Sequence, residues 1–375
     1  MIINSAPLYP TPFFCHFVNN IIEERPITED IRILFLKNLN KKDNLLKLSD
    51  ESQVLILSFK LDLESDLVSL MLLSKGIDYL RINIEDIPNE IKISIKPEEE
   101  SVIIAKEDQV VNLSKIKIVF MRYFNDICFE GDAAFVNKFM QEQWQSTFEI
   151  IKEATSKARW ISNFDTVKRL QHNKARQLAL AKSIGMFEIP DTLITNDPKL
   201  AKTFYYNHSE NIIAKVLHNH NVKIKSKIYM MHTKRLLNND LSKIDESLKL
   251  APCIFQEKIE KKSELRITVV GDQIFAAKLN LKSNRALEED IHICNLGDDI
   301  DIENFLGLTH DIKNRILALV AAFGLEYCSL DFIVDKNDKL IFLEVNPTAS
   351  WTYIEDATGM PITEAVTNLI IKEKV

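Results

Sequence analysis

Two short apolar segments near the C-terminus, 330–334 and 342–347, carry polar side chains where a buried strand would have hydrophobic ones. Asp331 lies in the first segment, and Glu344 and Asn346 lie in the second. Both segments have the length of strands, and the Asn and Asp residues between them are typical of a turn. The sequence therefore predicts a β-hairpin, whose pairing fixes the face on which each side chain lies.

This pairing would bring the three polar side chains together. A two-residue loop at 337–338 pairs Asp331 with Glu344, and strand alternation places Asn346 on the same face. Carboxylate and amide oxygens are hard ligands that suit Mg²⁺ completed by nucleotide phosphates. The alternative, a set of solvated polar residues, fits poorly with the apolar neighbours. The sequence thus predicts Asp331, Glu344 and Asn346 as metal ligands.

Two lysines stand where a triphosphate would need positive charge. Lys215 lies inside the apolar run 212–216. Burying an ammonium group without a partner is costly, so an anionic ligand is the expected partner. Lys174 lies at the start of a predicted helix, 173–184, and by itself would be an ordinary surface residue. The residues alone therefore predict an anionic ligand at Lys215 and assign no role to Lys174.

The segments between the lysines and the hairpin leave alternatives open. Segment 254–259 begins as an apolar strand and ends in polar residues, which suits either an adenine and ribose or a charged edge strand. Arg266 and Lys278 flank a turn at 271–272. A three-residue loop would place both cations on one face with a phosphate between them, whereas a two-residue loop would place them on opposite faces.

The composition restricts the class of protein. A chain of 375 residues is long enough for two or three domains, and its formal net charge of −7 argues against nucleic-acid binding. The five cysteines are scattered without a CxxC pair, which indicates reduced thiols and a cytoplasmic location. Neither a signal peptide nor an apolar run of about 20 residues is visible, so we expect no membrane partner.

The order of the predicted elements divides the chain. A strand at 54–58, a helix at 64–75 and a strand at 79–83 form a βαβ pattern, which predicts a parallel sheet. A long amphipathic helix, 135–157, closes this first α/β unit. The expected domains are a lead-in at 1–50, an α/β domain at 51–158, a central subdomain at 159–252 and a C-terminal subdomain at 253–375.

The order of these polar residues along the chain resembles the ATP-grasp superfamily. The resemblance implies an α/β fold, in which two α/β lobes sandwich a nucleotide after an N-terminal pre-ATP-grasp α/β domain. It implies ATP and Mg²⁺ as cofactors, with two ions expected, at the metal ligands predicted above. The residues implied to bind the nucleotide are Lys174, Lys215, Phe255, Gln256, Glu257, Ile259, Glu264 and Leu343. Arg266 and Lys278 are implied to be catalytic.

A narrower resemblance lies in four segments, 190–196, 250–257, 262–271 and 351–362, which are similar to the microviridin-type (graspetide) ribosomal peptide maturases. These enzymes phosphorylate Asp or Glu side chains of a precursor peptide. Hydroxyl or amine side chains then displace the phosphate and form ω-ester or ω-amide macrocycles. The resemblance implies a precursor peptide with a leader and a core as the partner, and a homodimer is one candidate assembly.

Some features depart from that family and keep other functions open. Segment 217–225 contains no glycine, and segment 283–298 lacks the Asp-Trp-Arg type of sequence expected there. Two alternatives remain: a ligase that joins a free amino acid to a small carboxylate or a protein tail, and a silent binding subunit, which the intact metal ligands disfavour. The stretch 229–250, with basic Lys234 and Arg235, predicts a surface for an amphipathic leader helix.

Overall fold

The computed structural model describes residues 53–99, 101–107, 109–124, 134–161, 163–171, 173–185, 187–217, 221–224, 227–230, 233–242, 244–281 and 300–372. The predicted lead-in at 1–50 lies outside these residues. Among the described helices, none is long and apolar enough to cross a membrane.

The N-terminal domain contains a parallel sheet and a small antiparallel sheet. Its elements are β1 (Val54–Ser58), α1 (Leu63–Ser74), β2 (Tyr79–Asn83), β3 (Ile91–Lys96), β4 (Ser101–Lys106), β5 (Gln109–Asn112), β6 (Ile118–Met121), α2 (Ala134–Ala154) and β7 (Arg159–Ile161). The parallel sheet has the order β2-β1-β6-β7, which confirms the βαβ prediction, and the antiparallel sheet is β3-β4-β5. β7 begins one residue beyond the predicted boundary at 158 and completes the parallel sheet.

The central subdomain is a small antiparallel sheet with helices. Its elements are α3 (Phe164–Gln171), α4 (Lys174–Ser183), β8 (Thr192–Thr195), α5 (Pro198–Asn207), β9 (Ile212–Lys215), β10 (Asn221–Ile224), β11 (Lys227–Met230), β12 (Lys234–Arg235), α6 (Asn238–Leu241), α7 (Ile244–Leu250) and β13 (Cys253–Glu257). The sheet order is β12-β9-β13-β8, and β10 pairs with β11. Tyr205 of α5 and Leu248 of α7 are buried with Phe255 on one face of this sheet.

The C-terminal subdomain is a five-stranded antiparallel sheet in the order β16-β15-β14-β17-β18. Its elements are β14 (Lys261–Val270), β15 (Gln273–Leu281), β16 (Ile300–Asn304), α8 (His310–Phe323), β17 (Tyr327–Asp335), β18 (Leu340–Asn346), α9 (Thr352–Thr358) and α10 (Ile362–Ile371). Helices α4 and α8 cover one face, where Leu178 and Leu319 belong to one buried cluster with Ile267. Helices α9 and α10 cover part of the other face, together with residues of the N-terminal domain.

The β17–β18 hairpin confirms the predicted pairing of Asp331 with Glu344, although by a different path. The Asp335 N–H donates to the Lys339 carbonyl at 3.0 Å, so the loop between these two residues contains three residues, 336–338, rather than two. The Asp335 carboxylate accepts hydrogen bonds from the backbone N–H groups of Asn337 and Lys339, both at 2.8 Å, and these bonds close the wider turn.

A β-bulge restores the register that the longer loop displaces. Val334 pairs with Leu340, so the predicted two-residue loop at 337–338 is wrong. Leu343 is the extra residue on β18, inserted just before Glu344. The two deviations cancel, and the polar side chains lie opposite each other as predicted.

Candidate active site

Three side chains of the hairpin, Asp331, Glu344 and Asn346, form an acidic cluster on one face of the C-terminal sheet. Asn346 Nδ2 donates a hydrogen bond to Asp331 Oδ2 at 2.8 Å and to Glu344 Oε1 at 3.2 Å. The paired strands bring these groups together, because Asp331 lies opposite Glu344 and Asn346 follows two residues later. The predicted convergence is confirmed, and the metal-binding role stays a prediction.

Arg266 binds the acidic cluster from the neighbouring strand. β14 pairs Arg266 with Asp331, and Arg266 Nη1 donates to Asp331 Oδ1 at 2.6 Å and to Oδ2 at 2.7 Å. Burial alone would lower the pKa of Arg266, but the Asp331 carboxylate raises it above its usual range, so the guanidinium stays charged. Its buried Nε has no hydrogen-bond partner within the described part of the chain, which leaves a donor for a ligand.

Lys174 binds the acidic cluster from α4. The Asn173 side chain accepts a hydrogen bond from the Arg176 N–H and caps this helix, which fixes its first residue. Lys174 Nζ lies 2.8 Å from Glu344 Oε2, and both side chains are mostly buried. Arg266 and Lys174 together supply a positive charge for each carboxylate of the cluster.

Lys278 lies on the opposite face of the sheet from Arg266. The turn at 271–272 is a two-residue loop, so Lys278 pairs with Leu265, the residue next to Arg266. Because successive residues of a strand point to opposite faces, the two cations are separated by the sheet. Lys278 Nζ instead lies 3.2 Å from Glu303 Oε1. Of the two alternatives that the sequence left open, the structure has the two-residue loop, in which Arg266 and Lys278 do not face each other across a phosphate. The catalytic role of Lys278 stays a prediction.

The predicted adenine segment, 254–259, begins in strand β13 and extends two residues beyond its end. We name β13 (Cys253–Glu257) the hinge strand. Gln256 is buried, and its Nε2 donates to Thr192 Oγ1 at 2.9 Å. Glu257 ends the strand, and its Oε2 accepts a hydrogen bond from the Asp191 N–H at 3.3 Å. The Phe255 ring is buried in the core beneath α5 and α7. Its predicted contact with nucleotide can therefore involve its backbone groups but not its ring.

Lys215 and Gln256 share the face of the small sheet opposite the Phe255 ring. Lys215 pairs with Ile254, and Ile254 lies two residues from Gln256, so all three side chains are on one face. β9 is fully buried only at Ile212, and Lys215 is half-buried. The expectation of a fully buried ammonium group was too strong, but the lysine lies beside the hinge strand as the nucleotide role requires.

Three further residues are predicted to bind the nucleotide. Two of them, Ile259 and Glu264, follow the hinge strand in sequence, and Leu343 precedes Glu344 of the acidic cluster. Glu264 of β14 is on the same face as Arg266, and its Oε1 accepts a hydrogen bond from Lys261 Nζ at 2.6 Å. Ile259 connects β13 to β14, and Leu343 is the bulge residue of β18. Both are partly exposed.

The chemistry of the acidic cluster fits a divalent cation. Two carboxylates and an amide provide hard oxygen donors, and cations already lie against both carboxylates. Among the residues that the structure describes, no three His, Cys, Asp or Glu side chains meet. A Mg²⁺ ion held by this partial set would keep positions for water and phosphate oxygens, which is the usual state of this ion in nucleotide sites.

The sequence did not predict one residue that contacts the segment after the acidic cluster. Arg122 of the N-terminal domain is fully buried and contacts the residues that follow Asn346. Arg122 follows directly after β6, and ligand sites commonly form where the parallel strands of a sheet end. This position was the feature of the sequence that could have identified Arg122.

The predicted leader surface at 229–250 is not a free helix face. Lys234 and Arg235 form β12, which pairs with β9. Most of the apolar side chains of the stretch belong to the core of the small sheet, namely Leu236, Leu241 and Leu248. This prediction is therefore wrong for those leucines. Segment 283–298, and most side chains of 217–225, lie outside the described residues.

Two family models match the chain. The first, described as the MvdD pre-ATP-grasp domain, matches residues 53–168. The second, described as the RimK-like ATP-grasp domain, matches residues 171–370. The first match contains the parallel sheet, and the second contains the acidic cluster and the hinge strand.

Two solved structures resemble the whole described chain. The macrocyclase MdnC of Microcystis aeruginosa MRC, bound with the precursor peptide MdnA, is 27% identical with a TM-score of 0.73, covering 85% of this chain and 99% of that one. A RiPP-associated ATP-grasp ligase of Chryseobacterium gregarium, in complex with ADP and a leader and core peptide, is 27% identical with a TM-score of 0.75. That similarity covers 84% of this chain and 96% of the other.

Curated relatives match a shorter region. The probable alpha-L-glutamate ligase 1 of Shewanella sp. strain MR-4 is 28% identical over 124 residues, which is 32% of this chain. The chain spans 39% of the length of that relative.

Proposed function

Because the chain belongs to the RimK-like ATP-grasp family, we propose that it is an ATP-dependent ligase that cross-links a ribosomal precursor peptide. The observation that carries the proposal is the network in which Arg266 and Lys174 bind the carboxylates of the acidic cluster. Such a network offers oxygen ligands for a nucleotide-bound cation and positive groups for the transferred phosphate.

The proposed reaction has two steps. A carboxylate oxygen of a peptide Asp or Glu attacks the γ-phosphorus of ATP, and ADP leaves with the electron pair of the broken bond. A Ser or Thr hydroxyl, or a Lys amine, then attacks the acyl carbon, loses its proton and expels inorganic phosphate. Each ω-ester or ω-amide ring thus costs one ATP and removes one water from the peptide.

The side chains have separate roles in this proposal. Mg²⁺ bound by the acidic cluster would stabilise negative charge on the phosphates, and we expect two ions. Arg266 supplies a fixed guanidinium and the N–H of its Nε beside the transferred group. Lys174 and Lys215 neutralise phosphate charge from α4 and β9. The hinge strand, with Ile259, Glu264 and Leu343, binds adenine and ribose.

A peptide acceptor is supported by the relatives. MdnC was solved with a precursor peptide, and the Chryseobacterium gregarium ligase with ADP, leader and core. The alternative, a ligase that joins a free amino acid to a carboxylate, has the short match to an alpha-L-glutamate ligase in its favour. Both functions use the same nucleotide site and differ in the acceptor.

Mass spectrometry distinguishes the two acceptors. The purified chain is incubated with ATP, Mg²⁺ and a short peptide that has a Thr/Ser- and Asp/Glu-rich core, taken from the open reading frames beside its gene. We expect successive losses of about 18 Da per ring, with ADP and phosphate as co-products. A mass gain from an added amino acid, without dehydration of the peptide, would support the alternative. Light scattering on the same sample tests the candidate homodimer.

A further inference from the structure

Arg122 is a fully buried cation at the end of β6, in contact with two carboxylates at the start of α1. Its Nη2 lies 3.3 Å from Asp62 Oδ1 and 3.3 Å from Glu64 Oε2. Asp62 is the N-cap residue of α1, yet its side chain makes no capping hydrogen bond. The carboxylate accepts hydrogen bonds from Arg122 and Ser58 instead. A residue type that normally caps its own helix is thus used to hold the arginine.

Arg122 also reaches out of the N-terminal domain. Its Nη1 donates to the carbonyl oxygens of Thr348 at 3.0 Å and Ala349 at 2.6 Å. These carbonyls belong to the bridge segment, 347–352, which runs from the end of β18 to the first residue of α9. One planar guanidinium therefore binds carboxylates of one domain and backbone carbonyls of another, which a lysine ammonium group could not reproduce.

Glu64 and Trp351 complete the contact. Glu64 Oε1 accepts a hydrogen bond from the Trp351 backbone N–H at 3.1 Å and from the Thr352 hydroxyl at 3.1 Å. The Trp351 ring lies 4.7 Å from the Arg122 guanidinium carbon, a cation–π distance. The bridge segment is thus held through its carbonyls, its N–H groups and its largest side chain.

The bridge segment begins directly after Asn346 of the acidic cluster. We propose that Arg122 is a positioning residue for phosphoryl transfer, which fixes the bridge segment and thereby holds Asn346 in place against Asp331. This inference rests on the proposed function and gives the N-terminal domain a share in the nucleotide site.

Arg159 provides a matched control. It also joins the parallel sheet to the C-terminal subdomain, through the carboxylate of Glu326 and the carbonyl oxygens of Leu369 at 3.0 Å and Lys372 at 2.9 Å. Its carbonyl partners lie at the end of α10 and not in the bridge segment. Arg122→Lys and Arg159→Lys therefore disturb the same kind of contact between domains, but the first one alone reaches Asn346.

The test compares these variants in the full-length chain with its precursor peptide. For Arg122→Lys we expect kcat for ADP release to fall about 100-fold, as displacement by about 1 Å can cause, with KM for ATP changed less than about 3-fold. The Mg²⁺ concentration for half-maximal turnover should rise about 10-fold, the usual cost of losing support for a metal ligand. Glu64→Gln, which keeps an acceptor oxygen, should show a smaller change in the same direction. Arg159→Lys should lower the unfolding temperature but change kcat less than about 2-fold.

Each outcome decides between positioning and plain structural support. Equal kcat and Mg²⁺ dependence in the Arg122→Lys and Arg159→Lys proteins would overturn the inference. If Arg122→Lys does not fold, Glu64→Gln decides by the same two readouts. If the wild-type chain fails to turn over ATP with its precursor, the proposed function fails. Calorimetry of ADP binding against Mg²⁺ concentration then tests the positioning role separately, and an unchanged Mg²⁺ dependence in the variants rejects it.

Discussion

The acidic cluster and the hinge strand both belong to the proposed nucleotide site but are held in place by different forces. In the acidic cluster, Arg266 neutralises Asp331 and Lys174 neutralises Glu344. The hinge strand takes its geometry from backbone pairing with β8 and β9. A substitution in the cluster therefore disturbs a balance of charge, whereas a substitution beside the hinge strand leaves its backbone frame intact.

This difference predicts a division of labour. If a cation binds the carboxylates of the acidic cluster as proposed, Arg266 and Lys174 would become available for phosphate oxygens, and each charge would exchange one partner for another. The hinge strand has no such exchange to make. We therefore expect substitutions in the cluster to affect the rate of phosphoryl transfer, and substitutions beside the hinge strand to affect nucleotide affinity.

Glu344→Gln should have the largest effect. The substitution keeps the shape of the side chain but removes a metal-binding charge and leaves Lys174 beside a neutral amide. We expect ATP turnover, measured as ADP release, to fall about 1,000-fold, the upper range for loss of a group that stabilises the transition state. Glu303→Gln makes the same change on the exposed edge strand β16 and should alter turnover less than about 2-fold. Equal losses in both variants would contradict a specific role for the cluster.

Arg266→Met should have the next largest effect. It removes the guanidinium that binds both oxygens of Asp331. We expect kcat to fall about 100-fold because a fixed charge beside the transferred group is lost. Arg266→Lys should recover only part of the rate, because the ammonium group keeps the charge but lacks the planar shape and the Nε donor of the guanidinium. A rise in KM for ATP with unchanged kcat would instead mean that Arg266 contributes to nucleotide affinity, as expected for residues beside the hinge strand.

Lys215→Met should act on affinity. Loss of a charge-assisted contact should weaken ATP binding by about 1.5–3 kcal/mol, or roughly 10- to 100-fold in Kd. Because backbone pairing holds β9, the unfolding temperature should change little. Lys202→Met removes a surface lysine paired with Asp245 in the same subdomain and serves as the control. Calorimetry that gives the same Kd for both variants would remove Lys215 from the nucleotide site.

Local patterns predicted the fold closely where the sequence alone defines an element. The bounds of β1 and β2 agree with the predicted strands at 54–58 and 79–83, because β1 is a short apolar run and β2 follows the helix that ends before Gly76. The acidic cluster was also predictable, since strand alternation places its residues on one face. The loop of the hairpin was not, because neither the wider turn closed by the Asp335 carboxylate nor the bulge at Leu343 follows from strand alternation.

The sequence patterns did not predict contacts between residues that are far apart in the chain. Arg122 binds carbonyl groups more than 220 positions away along the chain, and no local pattern in either segment identifies the other. The Phe255 ring shows the same limit on a smaller scale. Its strand was predicted, but the face that α5 and α7 cover became visible only in the structure.

Lys278→Met should have the smallest effect, and it tests the register that separates this lysine from Arg266. A two-residue loop places Lys278 on the opposite face of the sheet, where its Nζ lies 3.2 Å from Glu303 Oε1. Both side chains are substantially exposed, so loss of the pair should change stability little. We expect ATP turnover and Kd for ATP to change less than about 3-fold, as is usual for independent sites. ADP release and calorimetry on Lys278→Met and Arg266→Met side by side measure the contrast. A loss of turnover in Lys278→Met comparable to that in Arg266→Met would mean that β15 presents this lysine to the phosphate despite its register, and the separation of the two cations by the sheet would then have no functional meaning.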